Sequence, residues 1–370
     1  MDDKILLKYR QKGQIMKLLD DIELYSKFDK DNMLGKISEL PENFEIAWTK
    51  SKKFIVPTHY IKAKNIVVLG LGGSAIGGDL AKDLIYKTSK IPVFVVRDYD
   101  LPNFVGNDTL VLASSYSGNT EETLTTFQKA IDVGAKCIAI TTGGKMASMA
   151  RKHKIPIFEI DYSSAPRAAI AYSFMPLICI FNKLGYIEFG KDEALDSIQN
   201  TKIYRQKINF DITTNNNEAK KLAEKIHQKI PVIFASGNLK NIARRFKDQI
   251  NENAKNIAMY DEVPELCHNH IVGLDYPKDL QNYTLTILLQ SKFDNPRNKI
   301  RYQVLQQILS KKGIKFENIF INQKGGELSE ILHNIMFVDF VSYYLSILNQ
   351  VDPSPVDIIQ FLKDKLADNK

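Results

Sequence analysis

Cysteines, long apolar runs and blocks of like charge are scarce in this 370-residue chain, and each scarcity excludes a class of protein. The cysteines Cys137, Cys179 and Cys267 are odd in number, widely spaced and set mostly among apolar residues. They predict reduced thiols rather than a disulfide framework or a zinc site. The polar N-terminus has no apolar signal core, and no later run approaches the roughly 20 apolar residues of a membrane-spanning helix. We therefore expect a soluble cytoplasmic protein.

Charge is balanced rather than clustered. Fifty lysines and arginines stand against forty-three acidic residues, a formal charge of +7, and the charges are interspersed along the chain. Because no long basic block occurs, the sequence gives no sign of a dedicated nucleic-acid surface. A mildly basic surface suits a phosphorylated ligand, so composition favours a small anionic partner.

Short apolar runs alternate with helical patterns through most of the chain. A chain of this length exceeds what one hydrophobic core usually holds, so two domains are expected. The predicted strands are residues 65–69, 93–96, 110–113, 137–140 and 157–160 in the first domain, and 231–235, 283–289 and 319–321 in the second. Helical patterns at 300–309, 328–348 and 356–366 fit between and after the later strands. This alternation predicts an α/β fold in which each domain is a doubly wound parallel sheet flanked by helices.

The predicted domain boundaries are 1–50 for an N-terminal helical arm, 51–200 for the first domain and 201–370 for the second. A helix is predicted in the arm because four apolar residues are spaced to form one helical face: Ile15, Leu18, Leu19 and Ile22. The lysine-rich residues 200–229 contain few glycines and prolines, which favours a helical connection over a flexible linker. Ligands of such sheets bind beyond the carboxyl ends of the strands, so the crevice between the two domains is the expected active site.

The chain is organised around residues 110–127, where an apolar strand leads through a hydroxyl-rich turn into a helix. Ser115, Ser117 and Thr120 occupy the turn, and a helical pattern begins at Glu121. The first amides of a helix lack partners within it and carry the positive end of its dipole, and neutral hydroxyls can close around phosphate oxygens. Ordinary capping by Thr120 requires one hydroxyl, whereas Ser114 brings the number within seven residues to four. The pattern therefore favours an anion site over plain capping.

A second turn, Gly70-Leu-Gly72-Gly73-Ser74-Ala-Ile-Gly77, lies upstream between a predicted strand and a predicted helix. Glycines in this position also occur in dinucleotide-binding sites, and Asp98 after the next strand does not exclude one. A dinucleotide site would not need the serine-rich turn, however. Nicotinamide binding is therefore the weaker interpretation.

In the second domain a helix is predicted from an apolar stripe formed by Ile242, Phe246, Ile250 and Ala254. This spacing is expected to point Gln249 and Glu252 away from the packing face. Glu252 is then free to face a cleft, and the alternative is an ordinary solvated glutamate.

Two histidines, His268 and His270, lie in a loop between a proline and a glycine. A histidine in such a loop can titrate near neutrality and transfer protons. Histidines at i and i+2 can also bind a metal, but the chain offers no clustered third ligand, so no metal site is expected.

Five ordered blocks together resemble one family, the bifunctional phosphoglucose/phosphomannose isomerases, a dimeric SIS-domain branch of the phosphoglucose isomerase superfamily. The blocks are Gly72-Gly73-Ser74, residues 115–123, Pro166-Arg167-Ala168, residues 251–255, and His268-Asn269 before Ile271-Val272-Gly273. The resemblance extends from Gly70 to the C-terminal helix. It implies an aldose–ketose isomerase that interconverts glucose 6-phosphate and mannose 6-phosphate with fructose 6-phosphate through ring opening and an enediol(ate).

The resemblance also implies roles for single residues. Glu252 matches the general base, His268 the ring-opening histidine and Arg167 the arginine beside the reacting carbons. Lys363 is the implied helper, preferred over Lys365 because it follows Phe361-Leu362. The implied ligands of the substrate phosphate are Gly73, Ser74, Ser115, Ser117 and Thr120. No metal, nucleotide or flavin is implied, and a homodimer is expected.

The sequence departs from the family pattern at two positions. His270 stands where the family more often has glutamate, and Phe246 where it often has tryptophan. Because residue 270 lies close to His268 in the sequence, its side chain is able to alter the protonation of that histidine.

Two other functions fit parts of the same pattern. One is a different sugar-phosphate enzyme of this fold, such as an isomerase for a single epimer. The other is a non-catalytic SIS protein that senses sugar phosphates. A sensor would not need Glu252 and His268 together, and it usually accompanies a DNA-binding segment, of which the sequence shows no sign.

Overall fold

The computed structural model describes residues 18–190, 192–321 and 324–368, and strands alternate with helices along them. The strands are β1 (Asn65–Leu69), β2 (Val93–Val96), β3 (Thr109–Ser114), β4 (Lys136–Thr141), β5 (Ile157–Glu159), β6 (Ile230–Ala235), β7 (Met259–Glu262), β8 (Thr284–Leu289) and β9 (Phe316–Ile319). The helices are α1 (Ile22–Phe28), α2 (Met33–Ser38), α3 (Leu40–Lys53), α4 (Gly72–Ile85), α5 (Glu121–Asp132), α6 (Gly144–Lys152), α7 (Ile170–Lys183), α8 (Glu193–Ile208), α9 (Glu218–Ile226), α10 (Lys240–Ala254), α11 (Leu280–Tyr283), α12 (Pro296–Lys311), α13 (Glu327–Leu348) and α14 (Asp357–Asp368).

The first sheet is parallel throughout, with the strand order β2-β1-β3-β4-β5. Helices cover both of its faces, because Val67 packs with Phe127 of α5 and Met146 of α6, whereas Val68, on the opposite face, contacts Gly78 of α4. The strand order reverses between β1 and β3. In doubly wound sheets this switch point is where ligands bind.

The second sheet repeats the arrangement with four parallel strands in the order β7-β6-β8-β9. Its core joins Phe234 of β6 and Leu288 of β8 to Tyr302 and Leu305 of α12. Full burial of side chains of this size stabilises the fold by roughly 1.5–3 kcal/mol each. The predicted pair of parallel sheets flanked by helices is therefore confirmed.

The chain divides into two compact units. The N-terminal unit contains Glu39–Lys202 and the described residues of Asn322–Leu332, and the C-terminal unit contains the described residues of 1–38, 203–321 and 333–370. The described part of the predicted N-terminal arm is therefore shared between the units, since α1 and α2 belong to one and α3 to the other. The boundaries predicted at residues 50 and 200 remain predictions.

Strands β7, β8 and β9 of the second sheet differ from the prediction. β7 was not predicted, because its residues Met-Tyr-Asp-Glu are mostly polar and lie at a sheet edge where none of them is fully buried. β9 ends at Ile319, where the predicted strand begins, because the apolar run 319–321 follows the strand rather than forming it. Tyr283 ends α11, so β8 begins one residue later than predicted.

The prediction of a single apolar helical face in the N-terminal arm was wrong for residues 18–22, which the structure describes. Leu18 and Leu19 lie in a 3-10 turn, and Ile22 begins α1 with 63% of its surface exposed. Asp21 separates the two as the N-cap of α1, accepting a hydrogen bond from the Glu23 N–H at 3.0 Å. Ile15 lies outside the described residues.

One helix contradicts the expectation that no run approaches membrane-spanning length. α13 has both the length and the hydropathy of a spanning helix, but its most apolar window is entirely buried within the protein. A helix that is apolar on all sides is also what a protein core requires, so packing explains this composition. The three cysteines are free, as predicted.

Candidate active site

The two turns singled out in the sequence lie side by side at the switch point of the first sheet. β1 and β3 pair as far as Leu69 and Ala113, so the segments that follow them leave the sheet at the same edge. Residues 72–74, the glycine turn, form the start of α4, and Ser74 is 8% exposed. Residues 115–120, the serine loop, lead directly into α5. The structure therefore brings the candidate ligands Gly73, Ser74 and the serine loop to one place.

The Thr120 hydroxyl does not serve as an ordinary helix cap. Thr120 is the N-cap residue of α5, but its side chain accepts no capping hydrogen bond, and its Oγ1 lies 3.0 Å from Ser115 Oγ. The first amides of α5 are therefore left without a side-chain cap. Buried hydroxyls of Ser114 and Thr123, at the end of β3 and in the first turn of α5, have no hydrogen-bond partner within the described chain. Buried hydroxyls are normally paired, so the lack of partners for these two marks the region beside the serine loop as unusual.

A third turn, which sequence reasoning missed, holds the serine loop in place. Its residues 141–146 follow β4 and begin α6, whose first amides donate to the loop: Lys145 N–H to Asn119 Oδ1 at 3.1 Å and Met146 N–H to Gly118 O at 2.9 Å. Gly118 has φ +66°, and a Cβ there would lie 1.9 Å from Gly143 O, so only glycine fits. The run Thr141-Thr142-Gly143-Gly144 was the available signal, since it repeats the hydroxyl-and-glycine pattern after the next strand.

Arg167 lies beside the glycine turn. It occupies the 3-10 turn Pro166–Ala168 and is 4% exposed. A Cβ at Gly73 would stand 2.9 Å from Pro166 O and 3.4 Å from the Arg167 Cα, so the absence of a side chain at residue 73 permits this close approach. A guanidinium remains charged even when buried, which suits it to stabilise an anion.

In the C-terminal unit, Glu252 lies near the end of α10, and the predicted apolar stripe of that helix is confirmed. Ile242, Phe246 and Ile250 are fully buried, and Ala254 is 1% exposed. Glu252 itself is half-buried. The prediction for Gln249 was wrong, because this residue is 2% exposed and its Nε2 donates to Asp339 Oδ1 at 2.9 Å.

A buried polar seam next to the apolar stripe explains the position of Gln249. Arg245 binds the Asp339 carboxylate through Nε at 3.0 Å and through Nη2 at 2.6 Å, and both side chains are 2% exposed. One helical turn beyond Gln249, Asn253 Nδ2 donates to Ser342 Oγ at 3.0 Å. α10 is thus held to α13 by directional bonds, which fix the rotation of the helix that carries Glu252. The spacing of Arg245, Gln249 and Asn253 at i, i+4 and i+8 was the sequence signal.

The two histidines differ in their surroundings. His268 ends the 3-10 turn Glu265–His268 with an exposed side chain. His270 turns to the second sheet, where its Nδ1 lies 3.0 Å from Asp261 Oδ2 and its ring meets Phe234 edge-on at 4.9 Å between centroids. Residue 270 is histidine where the resemblance led us to expect glutamate, but the Asp261 carboxylate of β7 supplies a negative charge beside it.

The C-terminal lysines both lie on α14, where no residue is buried. Lys365 Nζ lies 3.4 Å from Asp368 Oδ2, and Lys363 is exposed. The choice of Lys363 over Lys365 remains a prediction. Among the described residues, no group of three or more histidine, cysteine or acidic side chains is placed to hold a metal ion.

Comparisons with known proteins agree with this division into two similar sheets. A model described as the SIS domain matches residues 59–175, and one described as the bacterial phospho-glucose isomerase C-terminal SIS domain matches residues 215–366. Among solved structures, the C-terminal domain of glucosamine-fructose-6-phosphate aminotransferase from Francisella tularensis aligns with 88% of this chain and 98% of its own, with a TM-score of 0.70 and 18% identity. That likeness shows the fold alone.

Two curated relatives match almost their whole length. The bifunctional phosphoglucose/phosphomannose isomerase of Caldicellulosiruptor bescii is 40% identical over 339 residues, which cover 91% of this chain and 100% of the relative. The protein of the same name from Aquifex aeolicus is 35% identical over 337 residues, covering 90% of this chain and 99% of the relative. The chain therefore belongs to the family of bifunctional phosphoglucose/phosphomannose isomerases.

Proposed function

We propose that this protein interconverts glucose 6-phosphate and mannose 6-phosphate with fructose 6-phosphate. The observation that carries the proposal is the serine loop, where the α5 N-terminus lacks a side-chain cap and the hydroxyls of Ser115, Ser117 and Thr120 precede it. This arrangement supplies amides and hydroxyls to a phosphate. Family membership supports hexose phosphates as the substrates.

The substrate phosphate binds to the serine loop and the glycine turn. Ser115, Ser117 and Thr120 donate hydroxyl hydrogen bonds, and Gly73 and Ser74 complete the set from α4. Binding the phosphate far from the reacting carbons fixes the orientation of the sugar, and that binding energy can be used to lower the barrier at C1 and C2.

Isomerisation moves one proton between adjacent carbons of the open-chain sugar and a second between their oxygens. Glu252 acts as the base, removing the proton from one carbon and returning it to the other through an enediol(ate). The second proton passes from the hydroxyl that becomes the carbonyl to the oxygen that was the carbonyl. Arg167 stabilises the oxygen that gains negative charge on the way. A carboxylate and an arginine are sufficient for this step, so the proposed reaction needs no metal, nucleotide or flavin.

Ring opening comes before isomerisation. The pyranose requires a proton donor at the ring oxygen and a base at the C1 hydroxyl, and His268 takes part in this transfer with Lys363 as helper. The exposed positions of both side chains leave them accessible to a substrate.

We further propose that the enzyme is a cytoplasmic homodimer. The boundary near residue 50 would separate the N-terminal arm from the first domain, and the boundary near residue 200 would separate the first domain from the second.

The proposal is tested by incubating the purified protein with fructose 6-phosphate and scoring both aldose products in coupled assays. Formation of glucose 6-phosphate and mannose 6-phosphate is expected. A single aldose would identify a single-epimer isomerase, and neither product would contradict the proposed function.

Glu252→Gln tests the assignment of the base, because it preserves shape and removes basicity. Turnover should fall by at least about a hundredfold, the usual range for loss of a general base, while the circular dichroism spectrum stays unchanged. Glu317→Gln is the matched control, since the Glu317 carboxylate pairs with Lys225 Nζ at 2.8 Å on the same unit. Near-normal turnover in folded Glu252→Gln would show that another group is the base.

A further inference from the structure

The Tyr116 side chain connects the serine loop to another part of the candidate site. Its backbone carbonyl accepts hydrogen bonds from Thr142 N–H at 3.0 Å and from Thr142 Oγ1 at 2.7 Å, which fixes its backbone to the turn after β4. With the backbone held there, the half-buried ring points its hydroxyl at the segment between β5 and α7.

The Tyr116 hydroxyl makes two hydrogen bonds to that segment. It donates to Tyr162 O at 2.5 Å and accepts from Ser164 N–H at 2.7 Å. Both partners are backbone groups, so the phenol fixes the path of the chain rather than the position of one side chain. Phenylalanine would retain the ring and lose both bonds.

The fixed segment leads directly to Arg167. Ser164 lies three residues before it, and the intervening Ala165 caps the 3-10 turn Pro166–Ala168 by accepting from Ala168 N–H at 2.9 Å. Within that turn, Pro166 O lies so near Gly73 that a Cβ there would stand 2.9 Å from it, so the glycine turn packs against the arginine segment. Arg167 is therefore connected to the serine loop through Tyr116 and to the glycine turn through Gly73.

We propose that Tyr116 is a positioning residue that sets the spacing between the bound phosphate and the Arg167 guanidinium. The inference rests on the proposed function, in which the serine loop binds the phosphate and Arg167 stabilises charge at the reacting carbons. Small errors in this spacing cost turnover rather than phosphate affinity, because the phosphate ligands keep their places while the cation is misplaced.

Tyr116→Phe in the full-length enzyme tests the inference. We expect kcat with fructose 6-phosphate to fall by about tenfold or more, while the inhibition constant of inorganic phosphate changes by less than about twofold. Tyr186→Phe is the matched control, because the buried Tyr186 hydroxyl has no hydrogen-bond partner among the described residues, and its kcat should equal that of the wild type. An unchanged kcat in Tyr116→Phe, or an equal loss of phosphate affinity, would overturn the inference.

A second measurement uses the wild-type protein and does not depend on turnover or on the folding of the variant. Hydrogen exchange of the Ser164 amide should be slow, and inorganic phosphate should slow it further by a measurable factor of no more than about twofold, the limit that reciprocity sets from the phosphate affinity of Tyr116→Phe. An amide whose exchange phosphate leaves unchanged would contradict the coupling. A wild-type protein without isomerase activity, but with phosphate-dependent protection of Ser164, would instead refute only the proposed function.

Discussion

Ser117 and Thr120 can be replaced together without disturbing the apolar core, because Ser117 is exposed and Thr120 is half-buried. If both hydroxyls hold the substrate phosphate, Ser117→Ala with Thr120→Ala should raise the KM for fructose 6-phosphate by at least about tenfold, since a hydrogen bond to a charged group contributes roughly 1.5–3 kcal/mol. Steady-state kinetics measure the effect. Ser148→Ala, an exposed serine of α6, is the control, and an unchanged KM in the double variant would exclude the loop as the phosphate site.

His270 is one of the two positions where the resemblance led us to expect another residue, and the structure changes what a glutamate there is expected to do. Glutamate at 270 would face Asp261, now 3.0 Å from the histidine ring, and would replace a hydrogen bond with repulsion between carboxylates. We expect His270→Glu to lower the free energy of unfolding by about 1–2 kcal/mol, because both groups are partly exposed and screened. Adding Asp261→Asn should restore most of this loss in urea titrations, and additive effects of the two changes would mean that the pair does not interact.

At the scale of elements, the two sheets differ in the polar groups that lie at their corresponding switch points. In the second sheet, Ser236 follows β6 and Ser291 follows β8, yet the Asp294 carboxylate accepts from Ser236 Oγ and from Ser291 N–H, the latter at 2.9 Å. All three residues are at most 6% exposed. An internal carboxylate thus occupies, in the second sheet, the position that corresponds to the proposed phosphate site of the first sheet.

The C-terminal end of α9 carries a titratable group, His227, from which we expect a dependence of stability on pH. Burial lowers the pKa of His227 from its ordinary value, and its Nδ1 lies 3.1 Å from Asn349 Oδ1. Between the lowered pKa and about 6.5 the unfolded chain binds a proton that the folded chain does not, so stability falls as the pH drops through this window. Urea midpoints at pH 7.5 and 5 should therefore differ less in His227→Gln than in the wild type. The exposed His153, changed to glutamine, should leave the difference unaltered.

At the scale of the molecule, a buried lysine ties the described start of the chain to α9 within the C-terminal unit. Lys220 of α9 is 1% exposed, and its ammonium donates to Leu19 O and Phe210 O at 2.7 Å each and to Asp20 Oδ1 at 3.2 Å. The rings of Tyr25 and Tyr344 lie 5.9 and 5.7 Å from it. The carbonyls, the carboxylate and the aromatic faces together offset the cost of burying the charge.

Lys220→Met should therefore lower the free energy of unfolding by about 2–4 kcal/mol, because it leaves these buried acceptors without their donor. The control is its neighbour Lys221, which is exposed and whose change to methionine should cost less than about 0.5 kcal/mol. Urea titration of both variants measures the difference. Equal stability of the two would show that the described N-terminal residues are held by their apolar contacts alone.

The sequence by itself determined the features that depend on local pattern. Runs of β-branched residues that end at glycine or serine gave the buried strands of both sheets, and the i, i+4 stripe of Ile242, Phe246 and Ile250 gave the packing face of α10. The serine loop was also predictable, because the strand, the hydroxyl residues and the helix N-terminus that define it lie within a few residues of one another in the sequence. These predictions needed no knowledge of distant contacts.

Only the tertiary structure decided which polar groups meet across the chain. Gln249 lies on the side of α10 that the apolar pattern leaves open, yet Asp339, ninety residues away, draws it into the interior. The polar edge strand β7 forms because β6 supplies its hydrogen bonds, and it brings Asp261 to His270. Tyr116 likewise gains its partners Tyr162 and Ser164 from another loop of the sheet. A hydrogen bond depends on the position and direction of both partners, and residue spacing specifies these only between neighbours in the sequence.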